Sequence, residues 1–134
     1  MSDTFLGDTP GTHVDSIPVD QIASSAATNY VATWVAPFRC TVTGIRYVCS
    51  DAVTGANTNT VHLNADGPSS ATEIGNIDLV SGTDLAAGVA SALTMAANVN
   101  FAAYQTLRLE QEEIGTGLGS AIDYGTLVVE YRGR

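Results

Sequence analysis

Lysine is absent from the sequence, and the five cations are all arginines: Arg39, Arg46, Arg108, Arg132 and Arg134. A Walker-type phosphate loop and a Schiff-base mechanism both require a lysine, so both are excluded. Charge of either sign is scarce, 14% of residues against about 25% in an ordinary soluble domain. It is also lopsided, with 14 acidic residues setting the net charge at −9. Binding to a phosphate backbone or an anionic membrane begins with clustered Lys and Arg, so neither nucleic acid nor a membrane is expected as a partner. No apolar run approaches the roughly 20 residues of a membrane helix, and no basic stretch followed by an apolar one opens the chain, which predicts a soluble protein.

Residues that carry chemistry are equally few. The only histidines, His13 and His62, sit in no G-x-S-x-G, H-E-x-x-H or C-x-x-C context, and each reads as an ordinary surface or strand histidine. Glu110, Glu112 and Glu113 offer paired carboxylates of the kind that flank a glycosidic bond, but their placement reads as a solvated strand end. The run GTGLGS at 115–120 breaks the dinucleotide-binding spacing, and no helical pattern follows it. Asn64, Asp66 and Asp78 match no calcium-loop spacing and read as turn residues. No catalytic residue, metal ligand or cofactor is therefore assigned, and the chain is expected to be something other than an enzyme.

The two cysteines, Cys40 and Cys49, are nine residues apart in a run of alternating β-branched residues. On one straight strand they would stand roughly 30 Å apart on opposite faces, too far for a disulfide. A bridge would need a hairpin bent at Thr43-Gly44-Ile45-Arg46, where Ile is a poor turn residue. The favoured reading is two small apolar side chains in or beside a core.

What remains is a β-pattern. Residues 28–134 show period-two runs separated by turn signals: Thr28–Ala36, Arg39–Cys49, Thr58–Ala65, Thr72–Val80, Tyr104–Glu113 and Tyr124–Arg132, with Pro37 and Asp66-Gly67-Pro68 at bends. In the first run Tyr30, Ala32 and Trp34 are expected to share one face. Residues 84–97 are ambiguous: Leu85, Val89 and Leu93 keep helical spacing, Gly88 opposes a helix, and a loop leading into a strand over Ala90–Met95 is preferred. Residues 1–27 differ, with four aspartates, no basic residue and isolated apolar side chains, and read as an extended N-terminal arm that could supply a further strand. The expectation is an all-β, antiparallel β-sandwich of about eight strands, the jelly-roll count, in one domain. Phe5, Leu6, Ile17, Pro18, Val19 and Ile22 of the arm need something to lie against, either this domain or another subunit. With Arg39, Arg132 and Arg134, cations on an acidic chain, they are the candidate interface residues.

The run ATWVAPFRCTVTGIRYVCSDAVTGANTNTVHL, residues 32–63, resembles small proteins from the head modules of tailed bacteriophages, in which VAPF precedes a TVTG strand and then TGANTN. EIGTGLG at 113–119 is similar to the glycine-rich turn before that family's last strand. The chain departs from the pattern at FAAYQTL, 101–107, where Gly then Asp is expected and Tyr104 and Gln105 stand. The resemblance implies a jelly-roll-like capsid decoration, or cement, protein. Such a protein would sit on the outer surface of the phage head as a homo-oligomer, commonly a trimer, and bridge the major capsid protein subunits. The alternative is a virion-associated carbohydrate- or receptor-binding sandwich, which predicts an exposed aromatic patch around Trp34, Tyr30 or Tyr47.

Overall fold

The computed structural model describes residues 11–22, 29–55, 61–79, 83–113, 122 and 124–134. Among the described residues there are nine strands: β1 (His13–Val19), β2 (Asn29–Val35), β3 (Cys40–Cys49), β4 (Val61–Asp66), β5 (Glu73–Asp78), β6 (Ala90–Ala92), β7 (Val99–Phe101), β8 (Thr106–Glu113) and β9 (Gly125–Gly133). All pairings are antiparallel. One sheet runs β1-β9-β3-β6, with β7 also on β3, and the other runs β2-β8-β4-β5. The first strand therefore pairs with the last, the second with the penultimate, β3 with β6 and β7, and β4 with β5. That nesting is a long antiparallel hairpin rolled up across two sheets, the jelly-roll arrangement. No helix occurs among the described residues, so segment 84–97 is a loop followed by β6, as the preferred reading had it.

Alternation supplies the core. Leu107 and Leu109 of β8, Leu127 and Val129 of β9, Leu63 and Ala65 of β4, and Ile77 of β5 turn inward, with polar neighbours outward. Past β6 the chain closes one side of the sandwich: the Leu93 N–H donates to the Ile45 carbonyl in one sheet, while Thr94 exchanges backbone bonds with Asn76 in the other.

Two bulges change the face assignments. In β3 the register on β9 shifts between Val42 and Gly44, so one extra residue resets the alternation. Cys40 and Val42 face inward before it, and Ile45, Tyr47 and Cys49 face inward after it. The two cysteines therefore share the buried face despite their odd spacing, and both are free thiols. In β2 a shift between Tyr30 and Ala32 turns Tyr30 outward, opposite Glu110, while Ala32 and Trp34 remain buried. The expectation that Tyr30 shares their face is corrected.

The arm is also revised. Residues 13–19 form β1, an edge strand on β9, and Ile22 bridges Ile122. Val19 and Ile22 are buried in this chain's own core and Ile17 packs against it, so these three are core residues rather than surface contacts. Pro18 is exposed on the same edge, where a strand tolerates a residue with no N–H. Phe5 and Leu6 lie outside the described residues, as does the glycine run at 115–119.

Candidate functional site

Where β1 and β2 lie over one another, a polar fastener joins the two sheets. The Asp15 carboxylate accepts from Trp34 Nε1 at 2.7 Å and from the Tyr131 hydroxyl at 3.0 Å. Rings surround it: Trp34 meets Phe101 edge-on at 5.6 Å, and His13 stacks on Tyr131 at 5.4 Å and meets Phe38 edge-on at 5.5 Å. Burial first, then the bond to Asp15, pushes the Tyr131 hydroxyl well above the ordinary tyrosine range, so it remains a donor. His13 thus belongs to the wall of rings around Asp15. This is structural chemistry: the Asp15 carboxylate is occupied in holding β1 down, while the buried His13 Nε2 has no hydrogen-bond partner among the described residues.

The outer face of the four-stranded sheet is polar and crowded. Arg108 lies over the Tyr30 ring, 3.8 Å from its centroid, and the Tyr30 hydroxyl donates to Asp66 at 3.2 Å. Asn64 Nδ2 donates to Glu112 at 2.9 Å. Asp66 is buried, and that burial pushes its carboxyl up, aided by the nearby negative charge of Glu110. Glu110 and Glu112 lie on this carpeted face, and His62 contributes its backbone to β4 opposite Glu112. Among the described residues no group of three or more His, Cys, Asp or Glu is arranged to hold a metal ion.

The aromatic patch expected of a sugar binder is not assembled. Trp34 and Tyr47 are both only 1% exposed, and the half-exposed Tyr30 ring is covered by Arg108. A cleft of about 400 Å³ opens between the edges of β5 and β6 and is lined by Asn76, Asp78, Asp84, Ser91 and Thr94, with no ring in its wall.

The third region is one end of the sandwich, where the start of β3 meets the ends of β7 and β9. Arg39 and Arg134 exchange contacts: the Arg134 N–H donates to the Arg39 carbonyl at 3.3 Å, and Arg39 Nε donates to the Arg134 carbonyl at 2.9 Å. Arg134 also donates to the carbonyls of Cys40 and Phe101. Arg132 stands opposite Thr41 on the outer face of the five-stranded sheet. The three candidate arginines are thus brought together and exposed, whereas Arg46 is paired with Glu130 farther along the sheet.

Beside them the turn 102–105 carries Tyr104. The Gln105 N–H donates to the Ala102 carbonyl at 3.2 Å, and Tyr104 adopts φ +68° with 76% of its surface exposed. Positive φ at the third position of such a turn is what glycine ordinarily supplies. Spacing alone could not have located the left-handed backbone at Tyr104, although the departure from Gly-Asp at this turn was the available signal. The chain matches no family model, no curated protein and no solved structure.

Proposed function

We propose that this chain is a structural virion protein, a capsid decoration protein that binds the outer surface of a phage head and stabilises contacts between major capsid subunits. The observation that carries the reading is architectural. The run that resembles phage head proteins, residues 32–63, supplies most of β2, all of β3 and the start of β4, and so contributes to both sheets of a jelly roll. Jelly rolls are a recurrent solution for capsid and lectin domains. The lectin-like alternative loses its aromatic platform to burial of Trp34 and Tyr47. An acidic chain suits the outside of a head, away from packaged DNA. Assembly as a trimer would present three copies of each contact at once, so that individually modest contacts gain from effective concentration.

The experiment is cosedimentation of the purified full chain with empty heads, assembled without it, of the phage that encodes it. Saturable pelleting with the heads, together with a higher temperature of head disruption, is the expected result. A chain that stays in the supernatant at micromolar concentration would remove the reading.

A further inference from the structure

We propose that the end of the sandwich carrying Arg39, Arg132, Arg134 and Tyr104 is the surface that docks onto the head, and that its counterpart there is an acidic protein surface with an apolar socket. This rests on the virion reading above and adds to it which part of the molecule meets the shell and what chemistry it meets.

Three observations converge. The first is charge. The chain has five cations against 14 acidic residues, yet three of the five gather at this end. Among the described residues none of the three forms an ion pair with an Asp or Glu side chain. On a chain so rich in acidic residues, gathering three guanidinium groups with no Asp or Glu side-chain partner in one place creates a basic pole. That pole can steer and orient an acidic partner.

The second is strain without a folding return. Tyr104 holds a left-handed backbone that is costly for any residue with a Cβ, and its ring is 76% exposed. The turn itself is secured by other groups: the Tyr104 N–H donates to the Ala36 carbonyl at 2.7 Å, and Gln105 Oε1 accepts from the Ala102 N–H at 2.8 Å. The ring contributes nothing to those bonds. A strained position retained where glycine would relieve it is characteristic of a site kept for contact.

The third is composition. A Tyr among arginines, with Pro37 exposed in the adjoining bend, is the pairing enriched at interface hot spots, because Tyr buries a large area with only two rotatable angles and Arg presents a planar fork of donors. The opposite end also shows an exposed tyrosine, Tyr124 at 73%, but no arginine lies beside it among the described residues, and it serves as the internal control.

The test is the same cosedimentation assay, run on wild type, Tyr104→Gly, the double variant Arg39→Glu/Arg132→Glu, and Tyr124→Ser, each also melted alone. Tyr104→Gly is expected to melt at or above the wild-type temperature while binding heads at least about tenfold more weakly, a separation that a structural role for Tyr104 would not give. The arginine double variant should bind at least about tenfold more weakly, and wild-type binding should weaken with added salt. Tyr124→Ser should bind as wild type. If wild type pellets with heads and both the Tyr104 and arginine variants pellet equally well, the docking assignment is wrong while the virion reading stands. Loss of binding in Tyr124→Ser equal to that in the other variants also overturns it. If wild type itself does not pellet, both fall together.

Discussion

Replacing Asp15 with alanine tests whether the arm is fastened to the sandwich by the carboxylate bridge. Trp34 is 1% exposed and Tyr131 4% exposed, so neither donor can turn to bulk water when its acceptor is removed. Each bond is short, at 2.7 and 3.0 Å, and each goes to a carboxylate, the stronger class of acceptor. Leaving a buried donor unsatisfied costs about 1–3 kcal/mol. Asp15 is itself half-buried, so a water could reach one of the two donors. Asp15→Ala should therefore cost about 3 kcal/mol, one full penalty and part of a second. For a domain of this size each kcal/mol lowers the melting temperature by about 3–4 °C, giving a drop of about 10 °C. Asp15→Asn keeps one carbonyl acceptor and should lose about half as much. Urea unfolding followed by fluorescence is the assay, because Trp34 is the only tryptophan and one of the two donors. Its emission should shift to the red in the alanine variant before the main transition, as the β1 edge loosens. A loss below about 0.5 kcal/mol with unchanged Trp34 emission would refute the argument, since it would mean that the bridge and burial together contribute less than one ordinary hydrogen bond.

Other outcomes follow from burial and close approach. A Cβ on Gly125 would lie 2.7 Å from the Tyr47 ring, its hydroxyl and the Val48 carbonyl oxygen. Gly125→Ala should therefore cost about 3 kcal/mol in chemical denaturation, at the upper end for overpacking, because the backbone atom cannot yield. Burial pushes both cysteine thiols up, so Ellman's reagent should find no reactive thiol in the native chain and two after unfolding; one fast native thiol would contradict the packing. Burial raises the Asp66 carboxyl above its unfolded value of 3.8, so the folded state favours the protonated form. The resulting penalty is absent below the unfolded value and grows as pH rises through the raised one. Asp66→Asn, which keeps an acceptor for Tyr30, should be more stable than wild type at pH 7 and equal to it near pH ~3, where wild type is protonated. A variant less stable at neutral pH would show that the attraction of the nearby Arg108 charge outweighs burial.

The strand pattern was largely legible because alternation reports which side of a sheet a residue occupies, and β2, β3, β5, β8 and β9 all start or end within a few residues of their expected bounds. Alternation fails wherever one extra residue enters. Gly44, an isolated glycine inside a strand, was the visible sign of a bulge, and reading it so would have placed Cys40 and Cys49 on one face. Nothing in the sequence marks the bulge at Val31, so strict alternation puts Tyr30 on the inner face when it lies on the outer one. β7 is three residues long, too short for any period, and exists because Phe101 packs against Trp34 and pairs with Cys40. Asp15 looked like one more acid in an acidic arm; its role depends on donors 19 and 116 residues away, which no local pattern encodes. The arginines at 39, 132 and 134 were legible as cations on an acidic chain, but their gathering is a product of the β3·β9 register.

That register also sets a timetable for synthesis. β9 lies between β1 and β3, in the middle of its sheet, and its residues leave the ribosome after those of the other eight strands. Until Gly125–Gly133 arrives, β1 has no strand partner and the inward residues of β3 lack half their cover. Folding of the complete sandwich must therefore wait for β9, and only distant pairings can then close it, which is the slow limit for a small domain. A ribosome stalled within β9 would hold an unpaired sheet with its core open, a species prone to pairing with its neighbours.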